Sequence, residues 1–128
     1  MDHLAVYGTL RRGEPAHRRF GLGAGLRFVG PCVIPGGLYD LGAYPALLEE
    51  DGVVAGDLYK VSDPALLASL DAFEGFLPKR PAASLYLRQA VRLLRPRVTA
   101  WVYVYNLAAD RQKLDRSRRI ASGDWKQR

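Results

Sequence analysis

The chain has a single cysteine, Cys32, among 128 residues. An internal disulfide is therefore impossible, and the pattern fits a reducing compartment. It has only two histidines, His3 and His17. Neither sits in a cluster with ligand spacing, so no metal site is implied. No apolar run approaches the length needed to span a membrane. The opening MDHLAVYGTL has neither a basic start nor the long apolar stretch of a signal peptide, so a cytoplasmic protein is expected. Low-complexity stretches and internal repeats are missing as well. What remains is a composition of 48% hydrophobic and 25% charged residues, that of a folded, soluble protein. A length of 128 residues suits one domain, residues 1–128, large enough to bury a core without staples.

The formal charge is +6, which raises a nucleic-acid hypothesis. Its distribution opposes one: the arginines are scattered as Arg11-Arg12, Arg18-Arg19, Arg92-Arg95-Arg97 and Arg116 to Arg119. No RNA-reading aromatic signature lies between them. Tyr103 and Tyr105 do alternate with apolar residues, which keeps a single-strand binder as a third reading behind an enzyme and a small-ligand binding module.

Two stretches carry chemistry. In the first, VYGTLRRGEPAH (6–17), an apolar strand ends at Gly8. Thr9 and Leu10 follow, and Glu14-Pro15 resembles a helix start. A tight loop of this kind presents unpaired backbone donors suited to a carboxylate or a developing oxyanion. The pattern by itself favours an ordinary strand-to-helix connection over such a loop. In the second stretch, Ser62-Asp63-Pro64 opens the clearest helix, with Leu66, Leu67, Leu70 and Phe73 on one face and Gly75 as the stop. At ~100° per residue Glu74 falls about 45° from the centre of that face, with Asp71 nearer its edge. Burial and the negative helix end should both raise the carboxyl pKa of Glu74, as a group exchanging protons near neutrality requires. The alternative is a glutamate at a frayed helix end, turned out to water.

Elsewhere the sequence reads as strands with short links. Leu26–Ile34 is broken near Gly30-Pro31, Pro35-Gly36-Gly37 is a turn, and Glu50-Asp51-Gly52 is a hairpin signal before Val53–Val61. Leu85–Leu94 and Val98–Asn106 alternate as strands. Leu107–Arg119 is weakly helical, and Trp125 should dock the tail. Many strands and two helices give an α+β domain, a mixed sheet curled toward a barrel.

VYGTLRRGEPAH, LDAFEGF, LYLRQAV, WVYVYN and SGDW, in this order, resemble the gamma-glutamylcyclotransferase-like family. The likeness is nearest to its avirulence-induced-gene-like branch and to gamma-glutamylamine cyclotransferases. The resemblance implies a small mixed β-barrel with flanking helices. It also implies an enzyme that releases 5-oxoproline and a free amine from a small-molecule gamma-glutamyl substrate. No cofactor, nucleic-acid partner or membrane partner is implied, and nothing assigns an oligomeric state. By the same resemblance Glu74 is the catalytic glutamate and Tyr7, Gly8, Thr9 and Leu10 form the substrate loop. Tyr86 then lines the pocket. The segment Phe76–Ser84, proline-rich and longer than is usual for the family, is expected to wall the leaving group.

Overall fold

A computed structural model describes residues 2–14, 17, 25–110 and 113–128. In chain order it contains β1 (His3–Val6), β2 (Leu26–Asp40), β3 (Pro45–Val61), α1 (Ala65–Glu74), β4 (Tyr86–Arg92) and β5 (Thr99–Tyr105). The five strands form one sheet in the order β2-β3-β1-β5-β4. β1 lies at its centre, antiparallel to β3 and parallel to β5. A central strand with both faces covered needs apolar residues without a gap, and Leu4, Ala5 and Val6 are all buried. Their alternation splits the core in two. Leu4 and Val6 join Leu70 of α1 and Tyr59, Tyr86, Tyr103 and Tyr105. Ala5 and Tyr7 join Cys32, Ile34, Val54, Ile120 and Trp125 on the other side. The C-terminal tail thus closes one face through Trp125, as expected.

The sheet is α+β and mixed, but it is not a closed barrel. Its edges meet only where Val33 of β2 exchanges bonds with the link after β4: Val33 N–H to the Arg95 carbonyl at 2.8 Å and Leu94 N–H to the Val33 carbonyl at 2.9 Å. β4 ends at Arg92, and Pro96 has no N–H to extend the pairing.

β2 and β3 are longer than expected. Gly30-Pro31 does not break β2, and Pro35-Gly36-Gly37 does not turn the chain. Gly30 and Pro31 pair in step with Leu58 and Asp57 just after a register shift between Phe28 and Gly30, and a second shift falls between Pro35 and Gly37, all within one antiparallel pair. β2 is an edge strand whose outer side is bonded at Val33 and Leu38 but not at Pro31 or Pro35, so proline at those two positions costs it little. At the second shift Pro35 pairs with Val53 and Gly37 with Leu48, so Glu49 to Gly52 bulge out where a hairpin was expected. The real turn is Leu41–Tyr44. There the Leu41 N–H bonds the Tyr44 carbonyl at 3.1 Å, Asp40 Oδ1 accepts from Gly42 N–H at 2.7 Å, and Gly42 has φ +102°.

α1 has the predicted ends. Asp63 Oδ1 accepts from Ala65 N–H at 3.0 Å. At the other end Gly75 takes φ +70°, its N–H reaches the Ala72 carbonyl at 3.2 Å, and Phe76 N–H reaches the Asp71 carbonyl at 2.8 Å. This is the double closure that a left-handed glycine permits. The helix expected to open at Glu14-Pro15 lies mostly outside the described residues. Leu107–Arg119 is not an α-helix where described; it forms short 3-10 turns at Leu107–Ala109 and Arg116–Arg118.

Candidate active site

Where β1 ends, the chain turns tightly: Arg11 N–H bonds the Gly8 carbonyl at 3.0 Å. Among the described residues the amides of Gly8, Thr9 and Leu10 have no hydrogen-bond partner. Three successive free donors in one turn form an anion-binding concavity. The turn is clamped from behind. Asp57 of β3 accepts from Arg12 N–H at 2.9 Å, and Asp124 of the tail accepts from Arg11 Nη1 at 2.7 Å. Lys126 Nζ donates to the Arg12 carbonyl at 2.7 Å. Gly8 does not use a positive φ. It is needed for close approach, because a Cβ there would lie 2.5 Å from Pro45 Cγ.

This turn borders a cavity of about 530 Å³ that also touches Tyr7, Glu74, Tyr86 and Tyr103. All six residues expected at the site (Glu74, Tyr7, Gly8, Thr9, Leu10 and Tyr86) therefore line one space. Glu74 is the last residue of α1, half-buried. The double closure at Gly75, and Leu85 N–H bonded to the Gly75 carbonyl at 3.0 Å, tie that helix end to the start of β4. A frayed, outward glutamate is thereby excluded. No described residue donates a hydrogen bond to the Glu74 carboxyl, and burial pushes its pKa from 4.5 up to about 7.

The three tyrosines around it stay protonated. Burial raises the pKa of each, and the nearby Glu74 charge raises it further. Their hydroxyls are already engaged: Tyr7 donates to the Tyr103 carbonyl, Tyr86 to the Pro45 carbonyl and Tyr103 to Asp71 Oδ1. Tyr86 consequently offers the cavity its ring and an oxygen lone pair, while its proton holds the β2–β3 hairpin in place.

Asp71 is not at the edge of the helix face. It is 5% exposed and bound by Arg88 through Nε at 2.8 Å and Nη2 at 3.2 Å. The Arg88 guanidinium stacks 4.5 Å from the Trp101 ring. The pair pins α1 to β4 and β5 one turn before Glu74. A helical projection cannot place this partner, which comes from another strand.

The segment Phe76–Ser84 does not border the cavity. It is folded on itself, with Ser84 Oγ accepting from Leu77 N–H at 2.8 Å and Asn106 Nδ2 donating to the Ser84 carbonyl at 2.9 Å. The mouth is built instead from Ala43, Tyr44, Phe73 and Leu85. Of these, Ala43 and Tyr44 lie in the loop that Gly42-Ala43-Tyr44 marks in the sequence, but nothing local places that loop beside Glu74.

A carboxyl with a raised pKa, free amide donors and neutral phenols in one cavity are groups able to hold a carboxylate-bearing molecule and to move a proton. Residues 4–127 match the family described as Gamma-glutamyl cyclotransferase, AIG2-like. A putative gamma-glutamylcyclotransferase of Vibrio cholerae is 38% identical over 100% of this chain and 99% of its own length. The gamma-glutamylaminecyclotransferase of Rattus norvegicus is 34% identical over 79% of this chain and 67% of its own. Among solved structures, the solution structure of protein ytfP from Escherichia coli superposes with a TM-score of 0.66 at 31% identity, covering 96% of this chain and 95% of that one. Sequence, fold and cavity agree, and the chain belongs to the AIG2-like gamma-glutamyl cyclotransferase family.

Proposed function

We propose that the chain cyclises a gamma-glutamyl amine, amino acid or peptide to 5-oxoproline and a free amine, with Glu74 as base and then acid. One observation carries this reading: a carboxyl with a pKa of about 7 shares a cavity with three free backbone amides. The substrate brings its own nucleophile. Its α-amine attacks the γ-carbonyl carbon, a C–N bond forms, and the amine proton passes to Glu74. The tetrahedral intermediate collapses as Glu74 returns that proton to the departing nitrogen, and the old C–N bond breaks. The carboxyl ends as it began, so no cofactor enters the balance.

The enzyme's part is chiefly to hold the substrate curled, where proximity gains are large. The Gly8–Leu10 amides take the α-carboxylate, and the neutral phenols bring no charge that would compete with it. The Vibrio relative is named a putative gamma-glutamylcyclotransferase and the rat relative a gamma-glutamylaminecyclotransferase, which supports a gamma-glutamyl substrate here. A non-catalytic carboxylate binder on this fold has no use for a proton shuttle. The test is to incubate the protein with gamma-glutamyl amines, amino acids and peptides and measure 5-oxoproline. Formation with every class absent, while 5-oxoproline itself binds, would convert the reading to a binding module.

A further inference from the structure

We infer that Asp124 of the C-terminal tail is a positioning residue: through Arg11 it holds the Gly8–Leu10 turn in the shape that binds a carboxylate. This rests on the proposed role of that turn as the cradle of the glutamyl carboxylate. The strings LRRG and SGDW stand near opposite ends of the chain, and an ion pair between residues 113 positions apart joins them. Arg11 closes the turn, since its N–H bonds the Gly8 carbonyl at 3.0 Å. The course of its side chain therefore bears on where the preceding amides point.

That side chain turns inward, and Arg11 is only 8% exposed. A guanidinium cannot shed its charge, so burial at this depth needs an anionic partner. Asp57 of β3 stands off, its Oδ2 3.5 Å from Nε, and among the described residues this buried nitrogen has no hydrogen bond. The same Oδ2 accepts from Arg12 N–H at 2.9 Å. Asp124 supplies the direct bond, its Oδ1 accepting from Arg11 Nη1 at 2.7 Å. The link to the tail is thus the stronger of the two restraints on the guanidinium.

Asp124 can serve as an anchor because the tail around it is fixed by other contacts. Gly123 takes φ +67° and lies directly on β3. Its carbonyl accepts from Ala55 N–H at 2.8 Å, and a Cβ there would run into the Val53 carbonyl oxygen. On the other side Trp125 is 2% exposed, within the core. Asp124 Oδ1 also accepts from Lys126 N–H at 2.9 Å, which fixes the orientation of the carboxylate. Lys126 returns to the turn, its Nζ donating to the Arg12 carbonyl at 2.7 Å. Without the Asp124 carboxylate, Arg11 swings toward Asp57 or out to water, and the closing residue of the turn moves with it. Glu74 is held separately, by the closure at Gly75. The loss therefore falls on binding and not on proton transfer.

The experiment measures Kd for 5-oxoproline, which keeps the carboxylate, and kcat and KM for gamma-glutamylmethylamide. It compares the native protein with Asp124→Ala, Asp124→Asn, Arg11→Ala and the Arg11→Ala/Asp124→Ala double variant. Leu93→Ala is the control for lost stability alone, since Leu93 is buried in the core and off the cavity. All assays run below the unfolding transition. Asp124→Ala should weaken 5-oxoproline binding and raise KM by roughly 10-fold or more, with kcat changed by less than about 3-fold. Asp124→Asn keeps an acceptor in place and should recover most of the affinity. The double variant should bind no worse than the weaker single one, because both substitutions remove the same link. Affinity in Asp124→Ala within about twofold of native, an equal loss in Leu93→Ala, or losses that add in full overturns the inference. So does a fall in kcat with KM unchanged. If the native protein binds 5-oxoproline but forms none from any gamma-glutamyl compound, the cyclotransferase reading falls while the Kd series still decides the role of Asp124. If it binds neither 5-oxoproline nor the amide, the cradle falls and takes this inference with it.

Discussion

Replacing Glu74 by glutamine separates the cost of this carboxyl from its use. Folding lifts its pKa from 4.5 to about 7, so the folded protein holds the proton more tightly than the unfolded chain does. The stability contributed by the neutral acid is present in full below pH 4.5 and is lost as pH rises toward 7. A difference of that size corresponds to about 3 kcal/mol at ~1.4 kcal/mol per tenfold step in proton affinity. About 1 kcal/mol has gone by pH 5 and nearly all of it by pH 8. Glutamine has no charge to bury. Glu74→Gln should therefore match the native protein within about 1 kcal/mol at pH 5 and exceed it by about 3 kcal/mol at pH 8. With ~2.1 cal/mol/K of unfolding entropy per residue, the gain at pH 8 is roughly 10 °C in Tm. The same variant removes the proposed proton shuttle, and turnover should drop by about 10²–10⁴-fold. The assays are thermal unfolding at both pH values and 5-oxoproline release. Equal Tm differences at pH 5 and pH 8 would refute the buried, raised carboxyl. Undiminished turnover would remove Glu74 from the mechanism.

Three further substitutions probe the surroundings. Gly8→Ala drives a Cβ to within 2.5 Å of Pro45 Cγ. It should raise KM by roughly 10-fold or more through a displaced turn at a stability cost of about 1–3 kcal/mol, and an unchanged KM would show that the turn does not hold substrate. Asp71→Asn leaves the Arg88 guanidinium without its buried counter-charge and should cost about 3 kcal/mol in urea unfolding. Turnover of the protein that remains folded should fall far less than in Glu74→Gln, and a loss as large would make Asp71 part of the chemistry. Shortening the chain by two residues between Leu77 and Pro81 should leave the rate ratio of any two gamma-glutamyl amides unaltered, because this segment lies off the cavity. A changed ratio would return it to the specificity wall.

Local rules made part of this protein legible from its sequence. Asp63-Pro64 and Gly75 bound α1 because caps and stops act within a few residues of themselves, and that alone places Glu74 at the helix end. The apolar run Leu4–Val6 followed by Gly8 marks a strand that must stop, and Trp125 is too large to leave in water at a chain end. The family motifs are short contiguous strings, so they too are read without a fold. Other features wait on pairings between distant parts of the chain. Gly30-Pro31 and Pro35-Gly37 carry every local mark of a break, yet β3 pairs with Gly30 and Pro31 directly and with Pro35 and Gly37 on either side of a register shift. Closure of the sheet depends on whether two edges distant in sequence can bond, and they do so only where Val33 meets Leu94 and Arg95. Asp71 falls near the edge of the apolar face on a helical projection, and its burial shows only once β4 brings Arg88 against it. The rim of the cavity changed hands for the same reason: Phe76–Ser84 follows Glu74 in sequence, but the β2–β3 turn carries Tyr44 and Pro45 to the site in space. Spacing along a chain determines what a helix or a turn can be, whereas register across a sheet determines what faces it.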